Sequence, residues 1–179
     1  MFRLARVALA ALLLPALAVA APPQKRGPST PAERKRALEV THRLERDPLG
    51  KGAGADRRWL FQWIVDIPDV NVTSCNGPLD ALAEDEGGNH GKELYVQSVF
   101  GMAAYLIEHP KDKDDWVAVQ KAGIESVLKA YRALKKVDED IQWPVLDDLE
   151  AARKAGKLAD VVRDEVNCKE GGEIPGDAI

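Results

Sequence analysis

An all-α fold, a single bundle of five to seven helices closed by one disulfide, is what this chain predicts. Three observations carry the prediction. Apolar residues recur at helical spacing in four separate segments. Runs with the period of a strand are nearly absent. Two cysteines only, Cys75 and Cys168, stand 93 positions apart.

The chain opens on a segment that reads as a secretory signal over residues 1–20. Arg3 and Arg6 supply positive charge, Val7 to Ala18 is apolar, and Ala18-Val19-Ala20 offers small residues for cleavage. The apolar stretch is too short for a spanning helix and contains Pro15. Removal of the signal leaves about 159 of the 179 residues, enough for one domain. No transmembrane segment is expected in the mature chain, and the expected location is periplasmic or secreted. In an oxidising compartment an even pair of cysteines is usually bonded, so Cys75 and Cys168 are expected to form a disulfide. The rival is a Cys75 nucleophile in Ser74-Cys75-Asn76-Gly77, but no local motif brings it a histidine base.

Residues 21–29 are Pro-rich and basic and read as a flexible leader. The helical domain is placed over 30–168. Thr30-Pro31-Ala32-Glu33 is a capping box with proline in the first turn, and Pro48 stops the helix. Its expected inner face is thin: Ala37, Leu38, Thr41 and Leu44. Asp56 is expected to cap a second helix bearing Trp59, Leu60, Trp63, Ile64 and Ile67 on one stripe, up to Pro68. Residues 69–75 read as an extended connector, 76–78 as a turn and 79–84 as a short helix. Glu86 to Lys92 reads as a loop.

Leu94 to Ile107 is fourteen residues without a charge and is apolar nearly all round, which places it at the bundle centre. Asp114 or Asp115 caps the next helix, running to about Val137 with Val117, Ile124, Val127, Leu128, Tyr131 and Leu134 inside. Trp143-Pro144 opens another, stopped by Gly156, and Leu158 to Val166 forms a last helical piece. Trp143 through Ala159 has a tetratricopeptide-like spacing, but it occurs once and no fixed period repeats it. Residues 169–179 are expected to be a loose tail. Gly101 and Gly123, inside the two central helices, each cost about 1 kcal/mol against alanine. Close approach of the two backbones is the expected reason.

No phosphate-binding glycine loop, nucleophile elbow or His-Glu-x-x-His motif is present in the sequence. The run 112–115 lacks the spacing of a calcium loop. No catalytic residue, cofactor or metal site is assigned. Four residues are candidates for binding. His90 lies in Gly-Gly-Asn-His-Gly, where a mobile imidazole could move protons. His109 closes a helix, where its protonated form meets the negative dipole end. Trp116 and Trp143 stand near helix starts and could line a groove, whereas Trp59 and Trp63 are expected in the core.

Charge is uneven. Residues 24–58 carry ten basic and five acidic side chains, a net +5, and residues 59–179 carry a net −11. The basic first helix is expected to lie against an acidic body; its alternative role is a partner surface. Export and the acidic bulk disfavour a nucleic-acid partner.

The run Trp59-Leu60-Phe61-Gln62-Trp63-Ile64 to Ile67-Pro68-Asp69-Val70 and Cys75 resembles a pattern in uncharacterised secreted helical proteins of bacteria. So does a hydrophobic helix with Gly101, Tyr105 and Ile107-Glu108-His109-Pro110, followed by one with Ala122-Gly123 and Tyr131. The resemblance implies export and a helical fold, and it carries no activity. The expected function is that of a non-enzymatic exported domain binding a protein in the cell envelope. The alternatives are a small hydrolase-like enzyme using His90 and carboxylates, and a small-molecule module lined by Trp116 and Trp143.

Overall fold

The uncharged segment forms helix α4, Gly91–Glu108. The computed structural model describes residues 26–85 and 89–171. Among them the order is α1 (Pro31–Arg46), α2 (Ala53–Asp66), β1 (Cys75–Asn76), α3 (Asp80–Ala83), α4, α5 (Trp116–Leu134), α6 (Pro144–Lys154), α7 (Leu158–Glu165) and β2 (Asn167–Gly171). Among the described residues α1, α2, α3 and α5 pack on α4, while α6 and α7 pack on α5. The expected signal segment, most of the leader and the last eight residues lie outside the described residues. No helix among the described residues is long and apolar enough to cross a membrane.

A helix apolar on every side needs two cores, and α4 has them. Val96, Val99, Phe100, Ala103 and Leu106 join one cluster with Ala37, Val40 and Leu44 of α1 and Leu60 and Trp63 of α2. Leu94 and Tyr95 join the other, with Ile124, Val127, Leu128, Tyr131 and Leu134 of α5, Leu146 and Leu149 of α6, and Leu158 and Val162 of α7. Burial of a leucine- or phenylalanine-sized side chain contributes roughly 1.5–3 kcal/mol, and α4 contributes such side chains to both clusters.

The two interior glycines mark where α4 and α5 cross, antiparallel. A Cβ on Gly101 would stand 2.3 Å from Ser126 Cβ and 2.9 Å from the Ala122 carbonyl oxygen. A Cβ on Gly123 would stand 2.9 Å from Met102 Cγ and 3.0 Å from the Ser98 carbonyl oxygen. The backbones meet so closely that only hydrogen fits, which is the reason expected from the sequence.

Capping follows the local chemistry in most places. Thr30 and Glu33 form the capping box of α1, Asp115 caps α5 through the Ala118 N–H, and Gly156 takes a left-handed φ of 72° just after α6. Two starts differ from expectation. Helix α2 begins at Ala53 after a left-handed Gly52 (φ 93°), because the glycine supplies the turn and Asp56 is free to pair with Arg43. Helix α4 begins at Gly91, three residues before the apolar run, because the Asp85 carboxylate accepts the Gly91 N–H at 2.8 Å. The inner face of α1 includes Val40 and Glu45, while Leu38 is only half-buried.

Cys75 and Cys168 are bonded, with their Cα atoms 4.5 Å apart. The bond lies between β1 and β2, which pair antiparallel with an irregularity at Cys75/Asn76. Backbone pairing therefore continues three residues beyond Cys168, into a segment without strand character in its sequence.

Candidate functional site

The residues singled out in the sequence are not brought together. His90 and His109 cap opposite ends of α4, about 28 Å apart at 1.5 Å per residue. His90 adopts a left-handed φ of 57° and its Nδ1 stands 3.8 Å from Glu93 Oε1, beyond hydrogen-bond length. His109 stacks on Tyr105, with ring centroids 4.3 Å apart. Trp116 begins α5 and is 43% exposed. Trp143 sits four turns away along α5, where its N–H donates to the Tyr131 hydroxyl at 3.0 Å. Its indole N–H donates to the Asn89 carbonyl at 2.9 Å and its ring covers Gly91. Among the described residues Trp116 and Trp143 thus share no groove, and Trp143 holds Asn89 just ahead of α4. Among the described residues no three His, Cys, Asp or Glu side chains gather as metal ligands.

A different constellation, on the outer side of the α1–α2 pair, does converge. Trp59 and Trp63 stack with centroids 6.1 Å apart and planes inclined by 19°. Their spacing of four residues puts both on one helical stripe, but the stripe is split between core and surface. Trp63 is buried and Trp59 is only half-buried. The Arg36 guanidinium of α1 lies 3.8 Å above the Trp59 ring, a cation–π contact worth about 0.5–1 kcal/mol at an exposed position. The two tryptophans floor a groove of about 470 Å³ lined also by Arg26, Glu33, Arg58, Gln62 and Asp66. Glu33 pairs with Arg26 and accepts the Thr30 N–H, and that backbone contact first holds its carboxyl below the usual range. Gln62 donates to Asp66 at 2.8 Å. Arg58 has no carboxylate partner among the described residues.

Comparison with protein-family models, curated proteins and solved structures gives no match.

Behind the groove, the start of α1 is locked to the connector after α2. Asp69 accepts the Ser29 N–H and hydroxyl, each at 2.8 Å, and the Arg34 guanidinium at 2.7 Å. Burial alone would push this carboxyl up. The Ser29 and Arg34 hydrogen bonds overcome that and bring it down to about 2. Two of the basic residues of the N-terminal region are thereby used internally: Arg34 on Asp69 and Arg43 on Asp56. Arg36 and Arg58 face outward.

The spacing of Trp59 and Trp63 was a legible signal of an aromatic face. That Trp59 would sit at the rim was not, because it depends on how far α1 leans over α2.

Proposed function

We propose that this chain is an exported, non-enzymatic helical domain that binds a protein of the cell envelope, and that it does so through the α1–α2 groove. The observation that carries the proposal is the Trp59–Trp63 pair lining the groove, with the Arg36 guanidinium over Trp59. Tryptophan and arginine are the side chains that most often dominate binding energy at protein interfaces. A ring already in contact with a guanidinium and a second ring loses little conformational freedom on binding. The net +5 of residues 24–58 favours an acidic segment of the partner, which Arg58 would meet first. Export is supported by the signal-like first twenty residues and by the bonded cysteine pair.

Two measurements test this. Mass analysis of the protein purified from the envelope fraction should give a chain beginning at Ala21; an intact Met1 would refute export. Crosslinking in envelope extracts should capture a partner with the wild-type chain and with Trp116→Ala, but not with Trp59→Ala/Arg36→Glu. Identical capture by all three, with unfolding temperatures unchanged, would refute the groove.

A further inference from the structure

A second cleft, independent of the groove, lies where the C-terminal ends of α1 and α5 come together. It measures about 430 Å³, within the range of small-molecule sites. Its six lining residues are Glu45, Arg46, Lys129, Arg132, Ala133 and Lys136. Lys129 and Arg132 stand one turn apart on α5, Lys136 lies in the turn just past its end, and Arg46 faces them from the last turn of α1. Four cations around one cleft run against the trend of a chain whose residues from 59 onward carry a net −11.

Cations near helix C-termini are favoured by the dipole alone. That accounts for Arg46 and Lys136. It does not account for Lys129, a turn and a half inside α5, nor for the shared opening. The pairing inside the cleft is informative. Glu45 is buried, accepts the Ser126 hydroxyl at 2.8 Å and holds Lys129 at 3.1 Å. Its charge is paired with Lys129 at the cleft wall. Arg132 donates to Glu150 at 2.8 Å, but Glu150 also has a two-pronged bond from Arg153, at 2.8 and 3.0 Å. Arg132 can leave Glu150 without stranding a charge. Arg46 and Lys136 have no carboxylate partner among the described residues.

We infer that this cleft binds a phosphate-bearing anion, held by Arg46, Arg132 and Lys136. Guanidinium groups match two phosphate oxygens at once, and the lysine adds a compact charge. A free phosphorylated small molecule and a phospholipid headgroup present the same chemistry, and the test separates them.

Calorimetric titration of the full mature chain with inorganic pyrophosphate at low salt should show saturable one-to-one binding. Arg46→Ala/Lys136→Ala should weaken it by about tenfold or more. Lys111→Ala/Lys157→Ala, which removes the same charge elsewhere on the surface, should leave it unchanged. In parallel, the chain is sedimented with phosphatidylcholine vesicles with and without phosphatidylglycerol. Capture by the anionic vesicles alone, lost in Arg46→Ala/Lys136→Ala, assigns the headgroup; pyrophosphate binding without vesicle capture assigns a free ligand. Absence of both kinds of binding would overturn the inference. So would equal weakening by the two double variants, since that would make the effect one of net charge.

Discussion

Ser29 donates its backbone N–H to one carboxylate oxygen of Asp69 and its hydroxyl to the other, each at 2.8 Å, across forty positions of sequence. Arg34 bonds to both partners, with Nε on the Ser29 hydroxyl and Nη2 on Asp69, each at 2.7 Å. This knot holds the start of α1 against the connector after α2, and it sets the entry of the chain beside the tryptophan groove.

The knot makes stability depend on acidity. The folded carboxyl is depressed from 3.8 to about 2, so the unfolded chain takes up the proton first. The contribution is complete above about pH 4 and is lost as pH falls through about 2. At roughly 1.4 kcal/mol per unit, reduced for partial exposure, it amounts to about 1–2 kcal/mol. Asp69→Asn should lose that much at pH 7 in urea unfolding, and its deficit should shrink between pH 4 and pH 2. A deficit constant with pH would show that the charge of Asp69 is immaterial.

Gly101 should tolerate no side chain. A methyl at that position collides with Ser126 Cβ and the Ala122 carbonyl. Gly101→Ala gains helix propensity of about 1 kcal/mol, yet overpacking costs typically 1–3 kcal/mol. With contact as short as 2.3 Å the collision wins, and Gly101→Leu should be worse. Thermal unfolding followed by circular dichroism decides it; an unfolding temperature at or above wild type for Gly101→Ala would show that the helices separate freely.

The disulfide closes a loop with a sequence separation of 93. The chain-entropy account assigns about 4–5 kcal/mol to such a loop. Cys75→Ser/Cys168→Ser should therefore unfold at much lower urea, while wild type treated with reductant converges on the variant. Equal midpoints for oxidised wild type and variant would mean that the bond contributes nothing to the fold.

Ser126 joins three helices. Its hydroxyl accepts from Gln97 Nε2 at 2.9 Å and donates to Glu45 at 2.8 Å. All three side chains are buried. Ser126→Ala would leave the Gln97 amide without that partner and weaken the hold on Glu45, at about 1–3 kcal/mol. Equilibrium unfolding measures it, and a loss below about 0.5 kcal/mol would indicate that water or a rearranged Glu45 replaces the hydroxyl.

Much of the fold was legible residue by residue. Thr30-Pro31-Ala32-Glu33, Asp115 and Gly156 act through groups a few positions away, so their roles can be read locally. The start of α4 was not legible, because the Gly91 N–H is satisfied by Asp85 and the Asn89 carbonyl is held by Trp143, fifty-four positions away. The burial of Glu45 was equally hidden: on α1 it looks like one more surface charge, and only Ser126 and Lys129 of α5 make its position favourable.

The amino-acid order by itself determined that helices form, where most of them stop, that an uncharged rod occupies the middle and that two backbones touch at Gly101 and Gly123. Those properties depend on periodicity, end capping and side-chain size, all of which are written along the chain. Tertiary structure alone decided which charges meet. It spent Arg34 and Arg43 on internal partners, set Arg36 over Trp59, and gathered Arg46 with Lys129 and Arg132 of α5 and with Lys136 just past it. Electrostatic and ring contacts act over a few ångströms in space, whatever the distance in sequence, so only the packed bundle could choose them.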